Sequence, residues 1–137
     1  MSNPINISGK QFEYLTEQAL QISGHSFKKT RNIDYEIILD NKVIGLECKG
    51  QKGEGTTDEK LTFSIYKYCN TYDEIIMLLH PLYKFRTPRQ KKLKESMEWV
   101  AKYKKVKLTF IWGIENLSNY LSSEDIESKE KNITKFF

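Results

Sequence analysis

The chain has 137 residues, of which 39% are hydrophobic and 29% are charged, and its formal net charge is +4. This length predicts one domain over 1–137, and the composition excludes disordered and fibrous proteins. No apolar run approaches the length that spans a membrane, and residues 1–10 lack the apolar centre of a signal peptide. We therefore expect a cytoplasmic protein with no membrane partner. The two distant cysteines, Cys48 and Cys69, are expected to be free thiols.

The first predicted element is a helix over 9–23. Phe12, Leu15, Ala19 and Ile22 recur at helical spacing. This spacing predicts that the four side chains form the buried face of the helix.

Three strands are predicted next, near 26–30, over 33–39 and over 42–49. Asp40 and Asn41 separate the last two segments, and both residue types tolerate the left-handed backbone of a tight turn. The second and third strands should therefore form a hairpin.

Helices and strands alternate in the rest of the chain. A capping-box pattern at Thr56–Glu59 predicts a helix from 57 to about 70. The apolar run within 74–80 predicts a buried strand joined to the hairpin by a parallel crossover. Thr87-Pro88 predicts the start of a helix that reaches about 103, and alternation over 106–112 predicts a strand.

Short helices around 115–121 and after 123 complete the predicted order, which is α-β-β-β-α-β-α-β-α. This order indicates an α/β fold with a mixed central sheet flanked by helices.

Charged residues gather at the end of the third strand. Glu47 and Lys49 are two residues apart, so their side chains point to one face, while Leu46 and Cys48 point to the other. We expect the Leu46 face to be core and the Glu47 face to be a rim.

The register of the hairpin decides which residue lies opposite Glu47. A two-residue turn starting at Asp40 pairs Asp34 with Glu47, and one starting at Asn41 pairs Asp34 with Lys49. In both registers these three side chains share one face. A three-residue turn would place Asp34 on the core side unless a bulge corrected it.

Facing carboxylates repel each other unless a cation lies between them. Two acids with backbone carbonyls and waters form the oxygen site that Mg²⁺ prefers. A neighbouring lysine can orient or help deprotonate a water while the metal stabilises charge on a phosphate. The pattern favours metal-dependent phosphodiester hydrolysis.

The motif also resembles a known family. Asp34, twelve further residues and then Glu47-Cys48-Lys49 resemble the signature of the PD-(D/E)XK nuclease superfamily, and the element order over about 9–80 is similar to its restriction-endonuclease-like core. Residues 50–61 are similar to a stretch that follows the catalytic lysine in some type II restriction enzymes. Ile33 stands where many members have proline.

The resemblance implies a role for each site residue. Asp34 and Glu47 would bind Mg²⁺, with Mn²⁺ as a substitute, and Lys49 would orient or activate the attacking water. Glu13 ends a Gly-x-x-Phe-Glu pattern similar to that of Mrr-like members, which implies a second-metal or outer-shell acid. Gln51 would contact the scissile phosphate or the water.

Two other acids could take the place of Glu13. Glu17 lies one helical turn later, and Glu36 shares the predicted face of Asp34. For Glu36, an ordinary solvated sheet residue is the favoured interpretation.

A basic region follows the core. Residues 84–107 contain ten lysines and arginines and two glutamates, which favours contact with phosphates. Trp99 and Trp112 are expected to lie in the core. The residues predicted to contact DNA are Lys52, Thr57, Lys60, Lys67, Arg86, Arg89, Lys91 and Lys92.

The predicted function is that of a Mg²⁺-dependent DNA endonuclease of restriction or homing type, encoded by a prokaryote or a phage. Cutting both strands of double-stranded DNA implies a homodimer or a larger homo-oligomer. The alternatives are a Holliday-junction resolvase or a repair nuclease of the same fold, and a non-catalytic nucleic-acid-binding or assembly module. The recognition sequence and the cut position stay open.

Overall fold

The computed structural model describes residues 9–49 and 57–122, with the side chains of 10–49 and 61–122. Its elements follow the predicted order as far as residue 122. The predicted helix after 123 and the loop over 50–56 lie outside the described residues. The elements are α1 (Gly9–Ser23), β1 (Ser26–Lys29), β2 (Tyr35–Leu39), β3 (Lys42–Lys49), α2 (Thr57–Cys69), β4 (Glu74–Leu79), α3 (Pro88–Lys104), β5 (Lys107–Trp112) and α4 over 114–122.

The five strands form one mixed sheet in the order β1-β2-β3-β4-β5. β1, β2 and β3 pair antiparallel, whereas β3, β4 and β5 pair parallel. The α/β class and the parallel crossover through α2 are thereby confirmed. Leu39 pairs with Lys42 and Tyr35 with Leu46, and Asp40 has a φ of 56°. The turn therefore starts at Asp40, which is the predicted register that places Asp34 opposite Glu47.

One face of the sheet packs against α1 and α4. Phe12, Thr16 and Leu20 form the buried row of α1. The predicted buried face was wrong for Leu15 and Ile22, which are 40% and 85% exposed. The Thr16 hydroxyl donates a hydrogen bond to the Phe12 carbonyl at 2.7 Å. This bond satisfies the polar group, so threonine can occupy a position that the sequence pattern assigned to apolar residues.

The other face packs against α2 and α3. Its core includes Ile65 and Tyr68 from α2, Met77 from β4 and Met97 from α3. Because Glu47 lies on this face, the expectation of an open rim was wrong. α2 crosses over that part of the sheet and leaves Glu47 half-buried.

A close approach of backbone and side chain occurs on the same face. A Cβ atom at Gly45 would lie 2.7 Å from Ile33 Cδ1 and 2.8 Å from Tyr72 Cδ2. Such distances are too short for carbon atoms in contact, so Tyr72 can pack onto β3 only where the strand has no side chain.

The basic helix α3 has a defined start and end. The Thr87 hydroxyl accepts a hydrogen bond from the Gln90 N–H at 3.1 Å, and the Gln90 side chain accepts one from the Thr87 N–H at 3.1 Å. Pro88 occupies the first turn, as predicted, and Lys105 ends the helix with a φ of 60°. These caps fix the first and last residues of α3, the helix that carries the lysines of the basic region.

Cys48 and Cys69 are free thiols, as expected. Among the helices of the described ranges, none has the length and apolarity that crossing a membrane requires.

Candidate metal and catalytic site

Asp34 is held against the strand that carries Glu47 and Lys49. It ends a bend over 31–34 in which Thr30 Oγ1 donates to the Ile33 carbonyl at 2.7 Å. The Asp34 Oδ2 atom accepts a hydrogen bond from the Cys48 N–H at 2.7 Å. The Asp34 carboxylate thus takes the place of a backbone carbonyl as acceptor, just beyond Tyr35 and Leu46, the last residue pair between β2 and β3. This bond fixes the position of the Asp34 side chain.

The carboxyl group of Glu47 lies between Asp34 and Tyr68. It is within hydrogen-bonding reach of the Asp34 carboxyl group, and it accepts a hydrogen bond from the Tyr68 hydroxyl. The pKa of Glu47 is raised to about 8, mainly by burial and further by the hydrogen bond and negative charge of Asp34, whereas the Tyr68 hydroxyl opposes the rise. Without a cation, Glu47 therefore retains a proton at neutral pH.

Glu13 brings a third carboxyl group from α1. Burial raises its pKa, and the charge of Asp34 and a hydrogen bond with Asp34 raise it further, whereas Lys29 lowers it. Asp34 therefore interacts with both Glu13 and Glu47, and we call these three side chains the carboxyl row. Glu17 acts instead on Tyr35, whose pKa is raised first by burial and then by the Glu17 charge.

Lys49 lies on the same face as Glu47, toward the neighbouring strand. Its ammonium nitrogen is 5.8 Å from the centre of the Tyr83 ring. The Lys49 carbonyl accepts a hydrogen bond from the His80 N–H at 2.9 Å, which ties the end of β3 to the residue after β4. The ammonium group is therefore held at the edge of the sheet where β3 ends.

Glu36 shares this face but contacts different partners. The Tyr72 hydroxyl donates to Glu36 Oε2 at 2.5 Å, and Lys28 Nζ lies 3.4 Å from Glu36 Oε1. The structure brings Glu13 to Asp34 and places Glu36 in a separate pair of contacts, so Glu13 is the better candidate for the third acid.

The predicted DNA-contacting residues fall into three groups. Gln51 and Lys52, and the side chains of Thr57 and Lys60, lie outside the described residues. Lys67 is exposed on α2, with its ammonium group 5.3 Å from the centre of the Phe63 ring. Arg86 is exposed in the loop before α3, and Arg89, Lys91 and Lys92 are exposed in the first turns of that helix.

The donor set of Asp34 and Glu47 fits a hard divalent cation. Within 9–49 and 57–122, no group of three or more His, Cys, Asp or Glu residues is arranged to hold a metal ion. The two carboxyl groups alone supply adjoining oxygen ligands, and Mg²⁺ usually takes only one or two carboxylates and completes its shell with water. A cation there would favour the charged form of Glu47 and so oppose the burial and the Asp34 charge that raise its pKa.

Sequence reasoning missed Tyr68 as a partner of the site. It lies in the last turn of α2 and belongs to the core on the Glu47 face. The sequence does show that Tyr68 follows Ile65 by three residues, on a predicted helix that comes directly after the strand with Glu47 and Lys49. This spacing predicts that the Tyr68 ring is buried, but it does not determine which residue accepts the hydrogen bond of the Tyr68 hydroxyl.

Comparison with models of known protein families gives no match for this chain, and comparison with curated proteins gives none. Any assignment of function therefore depends on the geometry described above.

Proposed function

We propose that the protein is a Mg²⁺-dependent endonuclease that hydrolyses phosphodiester bonds in DNA and has a restriction-endonuclease-like fold. The observation that supports this most directly is the contact between Asp34 and Glu47 on the face that carries Lys49. Two adjoining half-buried carboxyl groups cost stability in the absence of a cation. A site that binds Mg²⁺ accounts for their arrangement.

Asp34 and Glu47 would hold the ion, which when bound stabilises negative charge on a phosphate and lowers the pKa of a water. The Cys48 N–H fixes Asp34 at 2.7 Å, and Tyr68 fixes the other carboxylate. The Lys49 ammonium would orient the attacking water and balance the charge that develops on the phosphate. Glu13 would bind a water of the outer shell or a second ion.

The start of α3 supports DNA as the substrate. β3 and β4 are parallel and Lys49 pairs with Leu79, so both strands end at the same edge of the sheet. The loop that leads to α3 starts at this edge and carries exposed Arg86, followed by exposed Arg89. These groups would neutralise phosphates of a duplex lying over the carboxyl row.

Residues 9–49 and 57–122 of one chain offer one such site, whereas cutting both strands of a duplex needs two. We therefore propose a homodimer or a larger homo-oligomer as the acting form, in the cytoplasm of a prokaryote or of a phage-infected cell. Restriction and homing enzymes are the matching classes.

A cleavage panel tests the proposal. The purified protein is incubated with Mg²⁺ and, in separate reactions, with plasmid, single-stranded DNA, a four-way junction and RNA. We expect plasmid cleavage that falls by about 100-fold or more in Asp34→Asn and Lys49→Ala. Asp40→Asn, the same change in the hairpin turn, serves as the matched control and should retain activity.

Other outcomes would change the assignment. Cleavage restricted to the four-way junction would assign the protein to the resolvase alternative. Binding of DNA without cleavage of any substrate would assign it to the non-catalytic module. Cleavage that Lys49→Ala leaves unchanged would contradict the proposed site.

A further inference from the structure

The outer surface of α2 and α3 carries exposed aromatic side chains. Phe63 and Tyr66 of α2 are 64% and 43% exposed, and Trp99 and Tyr103 of α3 are 64% and 69% exposed. The expectation that Trp99 lies in the core was therefore wrong, because Met97 and Ala101 form the buried face of α3. Large rings gathered at a protein surface are typical of a binding site.

The rings of Trp99 and Tyr103 form a flat stack. Their centres are 5.4 Å apart, and their planes differ by 7°. They lie one helical turn apart on α3, so the helix holds them in this arrangement. A ring pair of this kind leaves outer π faces to which a further flat group can add.

Lysines are interleaved with these rings. Lys104 Nζ lies 4.4 Å from the centre of the Tyr66 ring and donates a hydrogen bond to Asn70 Oδ1 at 3.0 Å. These contacts place the last turns of α2 and α3 side by side, so the rings of the two helices belong to one surface. Lys67 lies 5.3 Å from the Phe63 ring centre. We call these residues the aromatic–lysine face: Phe63, Tyr66, Lys67, Trp99, Tyr103 and Lys104.

The charge of this face indicates the chemistry of its partner. Lys102 and Lys105 are exposed beside it, and Glu98 on the same helix is paired with Lys94 at 3.4 Å. A second copy of the same face would bring lysines against lysines. A partner with flat aromatic groups and regularly spaced negative charges complements both features, because its bases stack on rings while its phosphates meet lysines.

We infer that the aromatic–lysine face binds single-stranded nucleic acid by stacking bases on Trp99 and Tyr103. The face is on the outer side of α2 and α3, whereas Glu47 of the carboxyl row is covered by α2 and accepts its hydrogen bond from Tyr68 on the inner side of that helix. Binding there is therefore independent of the proposed hydrolysis and requires no metal.

Binding is measured in EDTA, so that cleavage plays no part. The titrants are fluorescein-labelled oligo(dT), oligo(U) and a DNA duplex, and the measurement is fluorescence anisotropy. We expect the aromatic–lysine face to bind either single strand, or both, and to contribute nothing to duplex binding, which the proposed function assigns to the start of α3. Trp99→Ala and Tyr103→Ala should each weaken single-strand binding by about 5- to 100-fold. Tyr14→Ala removes another exposed helical tyrosine, 61% exposed on α1, and should leave affinity unchanged.

Tryptophan emission gives a second measurement. The chain contains two tryptophans, so the signal that wild type has and Trp99→Phe lacks belongs to Trp99. We expect unlabelled oligo(dT) or oligo(U) to quench this signal. Three results would overturn the inference: unchanged single-strand affinity in Trp99→Ala, a loss of duplex affinity in Trp99→Ala as large as the loss of single-strand affinity, or a Trp99 signal that changes with protein concentration alone. The last result would assign the face to contact between copies of the chain.

Discussion

Replacing Asp34 by asparagine is expected to stabilise the metal-free protein, and to do so most above pH 8. The asparagine carbonyl oxygen can still accept the Cys48 N–H hydrogen bond that Asp34 accepts at 2.7 Å. The substitution therefore preserves the local fold and removes the negative charge beside Glu47. A residue retained for metal binding should cost stability when no metal is present.

The magnitude follows from the pKa of Glu47, which rises from 4.5 to about 8. One pKa unit corresponds to about 1.4 kcal/mol, so the full rise has an upper limit of about 5 kcal/mol. Burial is the largest cause, and the hydrogen bond and charge of Asp34 follow. We assign about 1–3 kcal/mol to Asp34.

The direction with pH follows from proton binding. Folded Glu47 keeps its proton up to about pH 8, whereas the unfolded chain loses it near 4.5. The free energy of unfolding therefore falls as pH rises through this window. Asp34→Asn should make that fall smaller.

Urea unfolding at pH 5 and pH 9 in EDTA measures the effect. We expect the gain in unfolding free energy of Asp34→Asn over wild type to be about 1–3 kcal/mol larger at pH 9 than at pH 5. Asp40→Asn should show no such difference. Millimolar Mg²⁺ at pH 9 should stabilise wild type and not Asp34→Asn. Equal destabilisation of Asp34→Asn at both pH values would refute the reasoning.

Three further substitutions test other contacts. Tyr68→Phe removes a hydroxyl that lowers the pKa of Glu47, so this pKa should rise in a carboxyl ¹³C NMR titration. Tyr72→Phe, which removes a hydroxyl bonded to Glu36, should leave the pKa of Glu47 unchanged. An equal effect of the two substitutions would argue against the contact between Tyr68 and Glu47. Gly45→Ala introduces a Cβ atom 2.8 Å from a Tyr72 carbon and should lower the unfolding free energy by about 1–3 kcal/mol in urea titrations. An unchanged urea midpoint would show that the Tyr72 ring can move away. Thr87→Ala removes the side-chain cap of α3 and should cost about 1 kcal/mol in the same assay, with a loss near zero indicating that the cap is dispensable.

The common face of Asp34, Glu47 and Lys49 in the hairpin could be predicted from the sequence. Side chains alternate along strands, so a two-residue turn at Asp40 or at Asn41 puts Asp34, Glu47 and Lys49 on one face. The structure has the turn at Asp40. Strand alternation and turn chemistry are local properties, which is why they could be obtained from the sequence.

Contacts between distant elements could not be obtained in this way. The covering of Glu47 depends on where α2 crosses the sheet, and the acceptor of the Tyr68 hydroxyl depends on the same crossing. The buried row of α1 contains Thr16 because its hydroxyl bonds within the helix, a possibility that apolar spacing ignores. Trp99 is exposed because Met97 and Ala101 take the buried positions of α3. In each case tertiary packing overrides the average preference of the residue type.

The approach of Tyr72 to Gly45 constrains how this sequence can diverge. A side chain at position 45 needs the end of the Ile33 side chain to shift and a residue smaller than tyrosine at position 72. Losing tyrosine there removes the hydroxyl that donates to Glu36, which leaves a half-buried carboxylate with one partner fewer. Positions 36, 45 and 72 should therefore change together in descendants of a common ancestor. A lineage that gains alanine at position 45 is expected to carry compensating changes at the other two.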